Sequence, residues 1–191
     1  VYMNVSLAVY PKGTAAFNMG LNHVTFYGLD MIGYDWGGGV RSGSFLLSNG
    51  FSGGSPTTWA QSKVPELNDD EFAKRRSIRF EHNTFTDMGY SGGVINFGAY
   101  DSCYIGYNTF YYVGISGEAI DISGGTDHVI EYNKLYKIGA NGIKLHSQYR
   151  KLENAVVRGN LIVYNGNGTT YGAGLGVQNA KNCQIYNNTI Y

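Results

Sequence analysis

The sequence predicts an all-β parallel solenoid with coils of about 25 residues, on three observations: a recurring asparagine, a period-two apolar pattern and the lack of a helical period. The recurring unit is an apolar residue, two spacers, Asn, one further residue and a second apolar residue. It appears at Phe80 to Phe85, Ile105 to Phe110, Ile130 to Leu135, Val157 to Ile162 and Ile185 to Ile190. Its asparagines, Asn83, Asn108, Asn133, Asn160 and Asn188, are spaced by 25, 25, 27 and 28 residues. Each period adds a glycine and an alternating run: Val94 to Phe97, Ala119 to Ile122, Gly142 to Leu145 and Gly174 to Val177. A unit of three short strands cannot bury its own apolar face, so it stacks on copies of itself. Asparagine at a fixed turn tolerates unusual backbone angles and can bond to the next coil, so the copies should form an asparagine ladder.

Taken in order, Val1 to Val9 reads as an early strand and Ala15 to Met19 as the later strand of a coil. His23 to Leu29 repeats the strand before the turn, with Leu29 in the asparagine position, and Ser44 to Ser48 is its later strand. Residues 49–76 then lose the pattern and read as a loop inserted between coils, with a short helix over Glu66 to Glu71. The regular coils follow, in a single domain spanning 1–191. The chain stops after Asn188 in mid-coil without a polar cap, which leads us to expect part of a longer solenoid. Leucine-rich repeats share the period, but their several fixed leucines per unit are missing.

Composition narrows the partners. With 14 Lys and Arg against 14 Asp and Glu the formal net charge is zero, so no field favours a nucleic acid. Apolar stretches are interrupted within a few residues, far short of the roughly 18 a membrane helix needs. Two cysteines are too few for a disulfide scaffold or a zinc site. Both Cys103 and Cys183 stand five residues before a ladder asparagine, three coils apart, or roughly 14 Å at about 4.8 Å per coil. A disulfide needs Cα atoms within about 7 Å, so both should be buried free thiols.

The Asn-Thr-Phe and Asn-Asn-Thr-Ile-Tyr turns, with the strands Gly-Glu-Ala-Ile-Asp-Ile and Gly-Ile-Lys-Leu-His, resemble right-handed parallel β-helix proteins of the pectin-lyase-like superfamily. The resemblance covers most of the chain. It implies a right-handed solenoid, secreted or on the cell surface, whose partner is a polysaccharide. Lyases, hydrolases, epimerases, tailspikes and adhesins share this repeat, so activity must be argued from side chains.

Alternation buries Phe17 and Met19, Phe45 and Leu47, Ile95 and Phe97, Ile120 and Ile122, Ile143 and Leu145, and Leu175 and Val177. The residues between them face outward. One outward column then reads Asn18, Leu46, Asn96, Asp121, Lys144, Gly176, and the next Gly20, Ser48, Gly98, Ser123, His146, Gln178. Asp121 beside Lys144, and Ser123 beside His146, make a polar patch that the 49–76 loop and the loop from Gln148 to Lys151 can wall in.

That patch has the parts for β-elimination on a uronate polymer, where a cation neutralises the carboxylate while a base takes the adjacent proton. Arg150 or Lys144 suits the first role, and Lys144 or His146 the second, with Asp121 positioning the cation. Asn96, Glu118, Ser123, Tyr149, Gln178 and Trp59 are candidate substrate contacts. Hydrolysis needs two carboxyl groups about 5 to 9.5 Å apart, and Asp121 with Glu118 would supply them if the turn before the strand brings Glu118 round. A non-catalytic fibre, stem or adhesin is the third reading, with Asp121 and Lys144 an ordinary cross-strand pair. Glu81 and Glu131 read as solvated, His23, His82 and His128 as surface or turn residues, and Phe26, Phe80, Phe85 and Phe110 as core. No cofactor is expected: Cys/His metal spacings are absent, and scattered Asp residues without an EF-hand loop leave calcium unsupported.

Overall fold

The structure is a computed structural model that describes residues 2–3, 17–18, 23–32, 45–47, 77–88, 91–98, 100–114, 116–147, 151–166 and 172–191. The expected 49–76 loop, with its helix, therefore lies outside the described residues, as do Met19, Gly20, Ser48, Trp59, Tyr149 and Arg150. Every described element is a strand, and all pairings between them are parallel.

Three long sheets run along the stack, each taking one strand per coil. The first orders Tyr2–Met3, Thr25–Tyr27, Arg79–Glu81, Tyr104–Gly106, Val129–Glu131, Val156–Arg158 and Gln184–Tyr186. The second orders Asp30–Ile32, Thr84–Met88, Thr109–Val113, Lys134–Ile138, Leu161–Val163 and Thr189–Ile190. The third orders Phe17–Asn18, Phe45–Leu47, Ser91–Gly98, Ser116–Ser123, Ile143–His146 and Leu175–Gln178. A fourth, small sheet of Gly125–Thr126, Leu152–Glu153 and Ala180–Lys181 closes the coil, an element the sequence pattern does not show.

Register follows the repeat residue for residue. Phe26, Phe80, Ile105, Ile130, Val157 and Ile185 form one inward column, and Phe85, Phe110, Leu135, Ile162 and Ile190 another, with Met31 the Cα partner of Phe85. Within these columns like packs on like: the rings of Phe26 and Phe80 stack at 4.6 Å, and those of Phe85 and Phe110 at 4.8 Å. Ile95, Phe97, Ile120, Ile122, Ile143 and Leu145 are buried as alternation requires. Val177 departs from it at 42% exposed, because its strand ends the third sheet and no strand pairs beyond it.

The asparagine ladder is complete in its bonding. Asn108 Oδ1 accepts from the backbone N–H of Asn83 at 3.0 Å and from its Nδ2 at 2.9 Å. Asn108 Nδ2 donates back to the Phe80 carbonyl at 2.9 Å and onward to Asn133 Oδ1 at 3.0 Å. Asn133 repeats the scheme with Asn160, and Asn160 with Asn188. Leu29 occupies the ladder position in its coil, its N–H donating to Asn83 Oδ1 at 2.9 Å. The residue before each rung is left-handed: Gly28, His82, Tyr107, Tyr132, Gly159 and Asn187 all have φ between 53° and 65°.

Three side chains sit where the sequence reading did not put them. Glu131, expected in solvent, is 7% exposed, because Tyr104 Oη donates to it at 2.8 Å and Arg158 Nε at 2.6 Å. The Tyr104 ring reaches it by lying over Gly106, where a Cβ would meet the hydroxyl at 2.3 Å. His128, expected at the surface, is buried in the inward column between Cys103 and Ala155. Its Nδ1 accepts from the Cys103 N–H at 3.4 Å and its Nε2 faces the Gly124 carbonyl at 3.2 Å, which fixes the tautomer with the proton on Nε2. Cys103 and Cys183 are both free, as expected, but only Cys103 is buried; Cys183 belongs to the coil of Val177 and is partly exposed.

Candidate functional site

The outward columns of the third sheet bring the site residues together. Cα partners run Asn18, Leu46, Asn96, Asp121, Lys144, Gly176 in one column, and His146 pairs with Gln178 in the next. The outward direction of Asp121 and Lys144 follows from the buried neighbours on either side of each. Asp121, Ser123 and His146 are nevertheless largely covered, and the Asp121 and His146 side chains each keep 11% of their surface open.

His146 is the centre of the cluster. Its Nε2 lies 2.8 Å from Asp121 Oδ1 and 2.7 Å from Ser123 Oγ. An ionised carboxylate can only accept, so Nε2 carries the proton and shares it between the two oxygens. A relay that activates a serine nucleophile needs carboxylate and hydroxyl on opposite ring nitrogens. Here both sit on one, and Ser123 is buried, so the trio holds a ring rather than arming a hydroxyl. Nδ1, to which no described residue bonds, is the nitrogen left for proton transfer.

Glu118 joins the same face through a break in alternation. Val94 with Ile95, and Ala119 with Ile120, are consecutive buried pairs, so the strand turns a corner there and resets which residues face outward. The Glu118 carboxylate consequently meets Lys144 Nζ at 3.5 Å. Lys144 thus pairs with Glu118, while Asp121, its Cα partner, faces His146. Asn141, which the sequence reading passed over, also reaches Glu118 Oε1 at 3.5 Å and accepts from the Ala173 N–H at 3.1 Å. Its signal was the Asn-Gly step that opens the strand.

Asn96 stands beside Asp121 by backbone register, and Gln178 is exposed beside His146. Among the described residues no group of three or more His, Cys, Asp or Glu side chains could hold a metal ion.

Residues 66–191, more than half of the chain, match the family described as right handed beta helix region. The chain belongs to the right-handed β-helix family. It matches no curated protein and no solved structure. A right-handed β-helix fixes where strands and turns lie but not what they do, so a function has to be argued from side chains, for which the cluster around His146 is the candidate.

Proposed function

We propose that this β-helix is a carbohydrate-active protein that cleaves an acidic polysaccharide by β-elimination on the outward face of its third sheet. The observation that carries the reading is the His146 imidazole held by Asp121 at 2.8 Å with Lys144 one column away. Lys144, with Arg150 from the adjoining loop, neutralises the uronate carboxylate, which makes the proton beside it more acidic. His146 takes that proton through Nδ1, and the ionised Asp121 stabilises the imidazolium that forms. The electron pair moves to a new carbon–carbon double bond, and the glycosidic C–O bond breaks with its electrons on the departing sugar's oxygen, which takes up a proton from water. Asn96, Glu118, Tyr149, Gln178 and Trp59 are the proposed substrate contacts, while the buried Ser123, also a candidate contact from the sequence, holds the His146 ring instead. A polymer of this kind places the protein outside the cell or on its surface.

Hydrolysis by Asp121 and Glu118 has less support, because each carboxylate is engaged by a basic side chain. The deciding measurement is incubation with polygalacturonate, following both the ultraviolet absorbance of unsaturated ends and the release of reducing ends. Elimination produces both signals, and His146→Ala or Lys144→Ala should lower the rate at least about 100-fold while thermal unfolding is retained. Reducing ends without unsaturation would establish hydrolysis instead. No cleavage of acidic or neutral polymers would leave a non-catalytic solenoid.

A further inference from the structure

A second cluster lies at the C-terminal ends of the second-sheet strands, outside the His146 site. Asp87, Tyr112, Lys137 and Tyr164 succeed one another there, each with φ between 54° and 62°. Beside them, on the outward face of the second sheet, Tyr111 pairs in register with Tyr136. Tyr111, Tyr112 and Tyr164 are exposed, Tyr164 at 65%. Lys137 Nζ stands 5.1 Å from the centroid of the Tyr112 ring and 5.8 Å from that of Tyr111. Among the described residues no carboxylate pairs with Lys137 or with Lys134, which is also exposed.

Backbone preference does not explain this choice of residues. A left-handed backbone strains a bulky side chain and suits Gly or Asn, which other left-handed positions of this molecule use at Gly28, Gly159 and Asn187. Tyr112, tilted against Tyr111 at 5.7 Å, is still half exposed, and Tyr164 more so. The stacked column of His82, Tyr107 and Tyr132 differs, because those rings occupy one another's faces at 5.1 and 5.2 Å.

We infer that Tyr111, Tyr112, Lys137 and Tyr164 form a separate binding surface for an acidic polysaccharide. The inference rests on the reading of the chain as carbohydrate-active. Tyr112 and Tyr164 are two coils apart, about 10 Å, a spacing that suits aromatic contact with the C–H faces of alternate sugars of a polymer laid along the column. Lys137 and Lys134 supply the positive charge that a carboxylate on those sugars requires. Asp87, one coil before Tyr112, and Asp30 at the far end of the same sheet repel such a polymer and confine it to the Tyr112–Tyr164 end.

The test is affinity electrophoresis of the full chain through gels containing polygalacturonate or a neutral glucan. Tyr112→Asn/Tyr164→Asn keeps residues that accept the left-handed backbone, so thermal unfolding serves as the check that the fold is intact. Its retardation by polygalacturonate should fall at least tenfold in apparent affinity, and Lys137→Gln should abolish the preference for the acidic polymer. Unchanged retardation in the double variant, no retardation of the parent, or tighter binding of a single-stranded oligonucleotide would overturn the inference. Cleavage of polygalacturonate, read apart from retardation, separates the two proposals. Loss of binding in the tyrosine variant with no cleavage by the parent would remove the catalytic reading alone. Cleavage by the parent with binding unaltered in the tyrosine variant would remove this one alone.

Discussion

Asn83 and Asn108, 25 residues apart, are joined twice through a single oxygen: Asn108 Oδ1 accepts both the backbone N–H and the side-chain Nδ2 of Asn83. Replacing Asn108 by Leu keeps the volume and removes every one of these bonds. It leaves the Asn83 donors, the Phe80 carbonyl and Asn133 Oδ1 buried without this partner. At about 1–3 kcal/mol for each group left unsatisfied, Asn108→Leu should cost at least about 3 kcal/mol, read as a lower midpoint in urea unfolding.

Tyr104 gives the molecule an alkaline limit. Burial raises its pKa above the usual 10.0, and its hydrogen bond to the Glu131 carboxylate raises it further. A raised folded-state pKa means that this contribution to stability is fully present below about pH 10 and fades as pH rises towards the folded value. Spectrophotometric titration of the parent against Tyr104→Phe should place Tyr104 at the late, alkaline end of the curve. In Glu131→Gln that group should move back towards the ordinary range, and a titration identical to the parent's would refute the assignment.

The room over Gly106 gives a third prediction. Gly106→Ala sets a methyl against the Tyr104 ring and should expel it from Glu131, destabilising the protein by about 1–3 kcal/mol. In Tyr104→Ala the same substitution meets no ring. The double-mutant cycle should therefore show strong coupling, and additive effects would sink the packing argument.

The two thiols should separate in time. Burial pushes the Cys103 thiol well above its ordinary 9.0, whereas Cys183 is partly exposed. Native protein should give one fast alkylation at Cys183, and Cys103 should react only at the rate of opening or after denaturation. Equal rates at both would contradict the burial of Cys103.

What was legible in the sequence was whatever repeats. Asn83, Asn108, Asn133, Asn160 and Asn188 fall in register because each solves the same local problem in every coil. The outward placement of Asp121, Lys144 and His146 followed from their offset by one from Ile120, Ile143 and Leu145. What escaped were contacts between unlike coils. Glu131 looked solvated because nothing local shows that Gly106 would let Tyr104 reach it, or that Arg158 would approach from the next coil. His128 looked like a turn residue because a polar side chain in an inward column is legible only once its two backbone partners are known. Pairing of Lys144 with Glu118 depended on the corner at Ala119 and Ile120, which a strict period of two does not contain.

The ladder also bears on how such a molecule changes over generations. A coil duplicated between Asn108 and Asn133 would bring its own asparagine, with one oxygen to receive the preceding rung and one amide nitrogen to serve the next. No bond of the ladder would lose its partner. Length is therefore a quantity this architecture can alter in steps of one coil, about 4.8 Å each, with the ladder intact.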